Sequence, residues 1–206
     1  MAMYHNPVML KESVDFLIQN EDGVYVDLTF GGGGHSLEIL KRLSNKGRLI
    51  AFDIDSDSLK NKIEDSRFSL VNQNFRYMWN YLKFFDVLPV DGVIADLGIS
   101  SYQIDSPDRG FSIRYNANLN MRMGGEEGLN ASYVLNNYSV DELKRVFWQY
   151  GEIKNSGSLA NKIIKIREET PFKTTEQLKE VAKISAPRGR EYKYISQVFQ
   201  AIRIEV

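Results

Sequence analysis

The chain of 206 residues contains no cysteine and only two histidines, His5 and His35. Without a thiol it cannot form a disulfide, a thiolate zinc site or a cysteine nucleophile. Two imidazoles are too few for a typical zinc site, so we expect no metal. No apolar run approaches the ~20 residues that span a membrane, and the amino terminus lacks the features of a secretion signal. We therefore expect a cytoplasmic protein with no membrane partner.

An excess of charge of either sign is also missing, since the net charge is −1. The distribution is uneven, however. Residues 1–150 carry 15 basic and 20 acidic side chains, whereas residues 151–206 carry 11 basic and 7 acidic ones. The weakly basic segment could meet RNA, or it could be an ordinary solvated helical face.

Four consecutive glycines, Gly31 to Gly34, stand between a predicted strand and a predicted helix. Residues 25–30 are β-branched and aromatic, as in a buried strand, and residues 35–43 place leucines at helical spacing. Glycines let a ligand approach the backbone, and a helix start offers free N–H groups. This pattern predicts a nucleotide-type cofactor site, although Ser36 replaces the third glycine of the G-x-G-x-x-G pattern.

The second predicted strand, residues 48–54, ends near Asp53. An acid about 20 residues past such glycines is placed to bind the ribose hydroxyls of an adenosine. We interpret Asp55 and Asp57 differently, as residues that cap the next helix or solvate the strand end.

Strands and helices alternate through the first half of the chain. Further strands are predicted over residues 68–72 and 90–97, and helices over residues 10–20, 56–65 and 75–85. This alternation is typical of an α/β fold with a parallel, doubly wound sheet in the order 3-2-1-4. Ligands of such sheets bind beyond the carboxyl ends of the strands.

The pattern changes after Gly98. Residues 99–128 show no periodicity but include apolar and aromatic side chains, which predicts a stretch ordered against a site. The later signals are helical, with capping boxes at Ser139-x-x-Glu142 and Thr174-x-x-Gln177 and a last helix from Gln197. The predicted domains are residues 1–104 for the cofactor, residues 105–200 for a mainly helical insertion, and residues 201–206 for the start of a return to the first domain.

A short basic loop is predicted between two of the later helices. It carries Arg188, Arg190 and Lys193. These side chains are candidates for contacting RNA phosphates, and the alternative is a solvated loop without a partner.

Six motifs follow one another along the chain. They are His5-Asn-Pro-Val-Met-Leu10, Thr29-Phe-Gly-Gly-Gly-Gly-His-Ser36, Asp96-Leu-Gly-Ile-Ser-Ser101 followed by Gln103, Arg109-Gly-Phe-Ser112, Leu119-Asn-Met-Arg-Met123 and Phe199-Gln-Ala-Ile-Arg203. In this order they resemble the bacterial ribosomal RNA small subunit methyltransferase H family, also called MraW. The resemblance runs from residue 4 to the last residue, with Asn120 where the family usually has Asp.

The resemblance implies a class I S-adenosylmethionine-dependent methyltransferase with a helical insertion. The implied reaction is methylation of the exocyclic N4 of a cytidine in the decoding region of 16S ribosomal RNA, and the implied partner is that RNA within the small ribosomal subunit. The cofactor contacts that it implies fall on Gly33, Gly34, His35, Asp53, Phe75, Asp96 and Gln103.

The acceptor base should arrive after the fourth strand. The substrate-binding candidates are Ser100, Ser101, Asp105 and Arg109, together with the basic loop. The Asp/Asn/Ser-Pro-Pro-Tyr/Phe motif of many amino-methylating DNA enzymes is absent there, so no catalytic base is assigned. Two alternatives stay open: a nicotinamide-dependent dehydrogenase with the same glycine loop, and a non-catalytic or truncated RNA-binding form.

The family that the motifs resemble continues beyond Phe-Gln-Ala-Ile-Arg with further sheet. We therefore expect the strand over residues 90–97 to lie at an edge of the sheet, where an apolar strand is a template for pairing. The chain should either self-associate through it as a possible homodimer or bind cofactor without turnover. Sedimentation and a methylation assay distinguish these outcomes.

Overall fold

The computed structural model describes residues 7–124 and 128–206, with the backbone alone for residues 101 and 102. His5 and Asn6 of the first motif therefore lie outside the described residues. The chain divides into two compact units. The first holds the described residues up to Ile99 with Met123 and Gly124, and the second holds those from Ser100 to Arg122 and from Gly128 onward. Within the described ranges, no helix is long and apolar enough to cross a membrane.

The first unit is built on a parallel sheet of four strands. The strands are β1 (Val24–Asp27), β2 (Arg48–Phe52), β3 (Phe68–Val71) and β4 (Gly92–Ile94), in the order β3-β2-β1-β4. This arrangement confirms the predicted α/β class and the predicted strand order. The strands end earlier than predicted, so the polar and glycine-rich residues that follow them form loops at the carboxyl edge.

Three α-helices cover the two faces of this sheet. They are α1 (Leu10–Leu17), α2 (Gly34–Arg42) and α3 (Met78–Phe84). Because successive strand side chains point to opposite faces, Tyr25 packs with α1 and α2 while Val26 packs with α3. Each face of the sheet therefore has its own apolar cluster, and the two clusters together fix the strands that lead to the carboxyl edge.

The prediction of a helix over residues 56–65 is wrong, because only a short 3-10 helix, Ser56–Asn61, forms there. The Asp55 side chain accepts from the Asp57 N–H, and the Ser58 hydroxyl donates to the Asp55 carbonyl at 2.6 Å. Such short polar side chains compete with the helical backbone bonds. The capping role predicted for Asp55 is confirmed.

The predicted edge position of β4 is confirmed among the described residues, where β4 pairs with β1 alone. Val93 in the middle of the strand is 42% exposed, and Leu97 beyond it is also exposed. The predicted self-association through this strand stays a prediction.

The second unit is mainly helical in the described residues. Its helices are α4 (Ser101–Asp105), α5 (Ala131–Asn137), α6 (Val140–Gln149), α7 (Ser156–Glu169), α8 (Thr175–Ser185) and α9 (Glu191–Glu205). Both predicted capping boxes are present, at the starts of α6 and α8.

The prediction of the last helix is wrong at its start, because α9 begins at Glu191 rather than Gln197. Tyr194, Val198 and Ile202 repeat at helical spacing and are all buried, so the first turns bury apolar area as the later ones do. Lys193 consequently belongs to the helix and not to the loop in which it was predicted.

Candidate functional site

The glycine loop joins β1 to α2 at the carboxyl edge of the sheet. Gly31 and Gly33 have φ values of 51° and 78°, in the left-handed region that favours glycine. A Cβ on Gly33 would lie 3.0 Å from the Phe30 ring, and one on Gly34 would collide with the Pro7 ring. The loop therefore requires glycine for its own conformation. Gly33 is also the N-cap of α2, and as a glycine it offers no side chain to the N–H groups of the first turn.

A buried acid, Asp27, connects the two ends of this loop. Its carboxylate accepts from the Thr29 N–H at 3.0 Å and from the Ser36 hydroxyl at 2.7 Å. Burial raises the pKa of the Asp27 carboxyl, while these hydrogen bonds and the nearby His35 act in the opposite direction. Sequence reasoning did not select Asp27, although an acid inside an apolar strand was a usable signal.

Asp53, the predicted ribose ligand, already connects the glycine loop to the end of β2. Its Oδ2 accepts from the Gly31 N–H at 2.6 Å and its Oδ1 from the Asp55 N–H at 2.8 Å. These two bonds hold the carboxylate between the glycine loop and the segment that follows β2. Asp53 thus also has a structural role, which the sequence did not indicate.

The remaining cofactor candidates of the first unit lie at the same edge. The Asp96 N–H donates to the Thr29 hydroxyl at 2.7 Å, which holds the segment after β4 against the segment after β1. Phe75 opens the 3-10 helix Phe75–Tyr77 after β3 and is partly exposed. His35 is buried in the first turn of α2. The structure therefore brings the six predicted cofactor residues of this unit to one edge.

Gln103 and Ser100 lie in the second unit and hold each other. The Ser100 N–H donates to the Gln103 amide oxygen at 3.1 Å, and the Gln103 N–H donates to the Ser100 hydroxyl at 3.2 Å. This reciprocal capping explains why the short helix α4 forms in a stretch predicted to be irregular. The side chain of Ser101 lies outside the described residues.

Two further substrate candidates contact their own unit. Asp105 forms an exposed ion pair with Arg114 at 3.4 Å. Arg109 donates to the Arg122 carbonyl at 3.0 Å, and its guanidinium lies 5.4 Å from the centre of the Phe111 ring. Arg109 therefore connects its own motif, residues 109–112, to the next motif, residues 119–123.

The basic candidates Arg188, Arg190 and Lys193 are all exposed at the junction of α8 and α9. Glu191, the acid among them, accepts from the Gly189 N–H at 2.9 Å, and bonds from its own backbone and from Gly189 lower its pKa. Tyr192 is 73% exposed within the same stretch. We call residues 188–193 the basic turn. Sequence reasoning missed Tyr192, although an aromatic between cations is a typical signal of nucleic-acid binding.

Among residues 7–124 and 128–206, no group of three or more His, Asp or Glu side chains is arranged to hold a metal ion. The groups at the glycine edge are the backbone N–H groups that begin α2, the carboxylates of Asp53 and Asp96, and the partly exposed Phe75 ring.

Comparison with known proteins identifies the family of the chain. A family model described as the MraW methylase family matches residues 2–206. Ribosomal RNA small subunit methyltransferase H of Christiangramia forsetii is 52% identical over 203 residues, which cover 98% of this chain and 67% of the relative. The protein of the same name from Cytophaga hutchinsonii is 51% identical over 206 residues, which cover 99% of this chain and 69% of the relative.

The match thus extends over nearly the whole chain and about two thirds of each of these relatives. The first unit has the α/β sheet of a class I S-adenosylmethionine-dependent methyltransferase, as the motifs implied. The chain belongs to the MraW methylase family.

Proposed function

We propose that this chain is an S-adenosylmethionine-dependent methyltransferase of small-subunit ribosomal RNA that methylates the N4 of a cytidine in the decoding region. The observation that carries the proposal is the match of residues 2–206 to the MraW methylase family, whose relatives similar to this chain are named for methylation of that RNA. The partner is then 16S RNA within the small ribosomal subunit, and the location is the cytoplasm.

The cofactor residues divide by the part of the ligand that each can hold. The N–H groups of Gly34 and His35 begin α2, where a helix carries partial positive charge and suits a carboxylate. Asp53 binds the ribose hydroxyls, and Phe75 flanks the adenine. Asp96 and Gln103 supply further polar contacts, as the family resemblance implies.

The reaction requires orientation more than activation by the protein. S-adenosylmethionine, when bound, supplies a methyl group on a positively charged sulfur. The lone pair of the cytosine amine is delocalised into the ring, so the site must hold N4 in line with the methyl group. The site must also accept the proton that N4 loses. Ser100, Ser101 and Asp105 are the candidates for contacting the base, and no catalytic base is assigned. The cytidine must be unstacked to react.

Two measurements on the purified chain test the function. Calorimetry should show binding of S-adenosylhomocysteine and no binding of NADH, which separates methyl transfer from the dehydrogenase alternative. A mass spectrum of 16S RNA fragments, after incubation of unmethylated small subunits with S-adenosylmethionine, should show one methyl added at a cytidine. Binding of S-adenosylhomocysteine and of RNA without any methyl transfer would instead favour the non-catalytic alternative.

The basic turn provides a test of the RNA partner. Replacing Arg188, Arg190 and Lys193 together by alanine should weaken RNA binding and make the salt dependence less steep, by about 0.7–0.9 for each phosphate that the variant no longer neutralises. Affinity for S-adenosylhomocysteine should not change. The matched control replaces Lys144, Lys165 and Lys173, three exposed lysines elsewhere in the second unit. An equal reduction of the salt slope in both triple variants would mean that the basic turn has no specific role in RNA binding and is a solvated loop.

A further inference from the structure

The segment that follows β3 has an unusual composition. No Asp or Glu stands between Asp65 and Asp86, whereas Arg67, Arg76 and Lys83 lie in that interval. Six of the residues from 75 to 85 are aromatic. The first half of the chain is acidic in sum, so this stretch is a local basic and aromatic exception within it.

Folding of the first unit uses only one side of α3. Leu82 is buried in the apolar cluster of the sheet, and Met78, Tyr81 and Phe85 pack against that cluster. The other helix positions are exposed, and they form one continuous face because residues four apart are neighbours. These positions are Trp79, Asn80, Lys83 and Phe84.

The exposed face carries large rings that the core does not need. Trp79 is 55% exposed and Phe84 is 81% exposed, and Tyr77 just before the helix is also exposed. Scattered exposed apolar residues are normal, but a group of three aromatics on one short segment marks an interaction site.

Cations accompany the rings on this face. Lys83 Nζ lies 5.1 Å from the centre of the Trp79 ring, and the Arg76 guanidinium lies 6.0 Å from that of Tyr77. Neither cation forms an ion pair within the part of the chain that the structure describes. Each therefore adds positive charge beside a ring without an acid to balance it.

We infer that Arg76, Tyr77, Trp79, Lys83 and Phe84, here called the α3 face, bind a single-stranded segment of the RNA substrate. Bases stack on exposed rings, and phosphates meet the cations beside them. A face with cations and rings but no acidic side chain suits a polyanion with unpaired bases. A protein partner, whose surface carries charges of both signs, would be matched better by a face that also contains acids. The face begins one residue after Phe75, the proposed adenine contact. The inference rests on the proposed RNA methyltransferase function.

The two tryptophans allow each site to be observed alone, because the chain has only Trp79 and Trp148. Trp148, on α6, is 60% exposed and serves as the matched control. In the Trp148→Phe chain, an unstructured single-stranded RNA should quench the fluorescence of Trp79 in the absence of cofactor. In the Trp79→Phe chain, the same RNA should leave Trp148 nearly unchanged. Duplex RNA of equal length should quench Trp79 far less, because its bases are already paired and stacked.

Affinity measurements separate stacking from charge. Trp79→Ala should bind the single-stranded RNA about tenfold more weakly, which corresponds to about 1.4 kcal/mol, while Trp148→Ala should bind normally. Lys83→Ala should lower the salt slope by about 0.7. Lys46→Ala, which removes an exposed lysine paired with Asp22 at 3.5 Å, should leave the slope unchanged. Circular dichroism checks that each variant is folded.

Several outcomes would overturn the inference. One is RNA binding without quenching of Trp79, and another is an equal loss of affinity in Trp79→Ala and Trp148→Ala. A Trp79 signal that changes with protein concentration in the absence of RNA would assign the α3 face to a second copy of the chain. Methyl transfer is measured separately on the wild-type chain, so a failed α3 face leaves the proposed function standing. Quenching of Trp79 by RNA without methyl transfer would leave the α3 face as an RNA-binding site and would contradict the proposed methyltransferase activity.

Discussion

Replacing Asp53 by alanine should weaken the binding of S-adenosylhomocysteine by about a hundredfold. Hydrogen bonds to a charged group contribute about 1.5–3 kcal/mol each. Removing a carboxylate that binds two ribose hydroxyls should therefore reduce the binding free energy by about 3 kcal/mol or more. The same change leaves the N–H groups of Gly31 and Asp55 without their carboxylate partner, so the glycine loop also loses a support. Titration calorimetry on the folded variant measures the total.

A ligand without ribose hydroxyls separates these two contributions. For the wild-type chain, the 2′,3′-dideoxy analogue of S-adenosylhomocysteine should bind much more weakly than the parent ligand. For Asp53→Ala, the two ligands should bind nearly alike, because the partner of the hydroxyls is gone. If the variant loses the same factor for both ligands, Asp53 acts through the loop and not on the ribose.

The matched control for this experiment is Asp57→Ala. Asp57 is another acid beyond β2, and its carboxylate pairs with Lys60 at 2.6 Å in the 3-10 helix. It should bind S-adenosylhomocysteine like the wild-type chain. A comparable loss in Asp57→Ala would indicate a general electrostatic effect of acids at this edge.

Replacing Asp27 by alanine should lower the free energy of unfolding by about 3 kcal/mol. A buried donor left without its acceptor costs about 1–3 kcal/mol, and the change removes the acceptor of both the Thr29 N–H and the buried Ser36 hydroxyl. Urea unfolding at neutral pH measures the loss. Ser36→Ala, which removes one of these bonds together with its donor, should cost much less.

The charge of Asp27 should give its contribution a defined pH dependence. Burial raises the pKa of this carboxyl above its usual 3.8, so the folded chain keeps the proton to a higher pH than the unfolded chain does. The part of the stability that depends on a proton bound to Asp27 is therefore complete below about pH 3.8 and is lost as the pH rises through the folded-state pKa. Asp27→Asn has no such titration.

Urea unfolding of the wild-type and Asp27→Asn chains at a series of pH values tests this expectation. The stability of the wild-type chain relative to the variant should fall as the pH rises from about 4. A relative stability that instead increases over this range would mean that the hydrogen bonds outweigh burial and that the carboxylate is ionised when folded.

Local pattern was sufficient for the architecture of the first unit. The alternation of apolar strands with amphipathic helices predicted the parallel sheet and its order, because connections of this kind have few allowed topologies. The glycines and the acid near the end of the second strand were also found from their spacing. The helix over residues 56–65 was predicted wrongly because Asp and Ser side chains bond to the nearby backbone in ways that apolar spacing does not reveal.

The sequence by itself determined the fold class, the absence of thiol chemistry, the family resemblance and the set of residues at the glycine edge. Only the tertiary structure decided which of those residues support one another. Asp53 and Gly31 are 22 positions apart and meet because β2 pairs beside β1. Asp27 is buried because α2 and its Ser36 fold back over the strand. The outer face of α3 is exposed because the sheet buries the other side, and such partners are set by packing between distant segments rather than by neighbours along the chain.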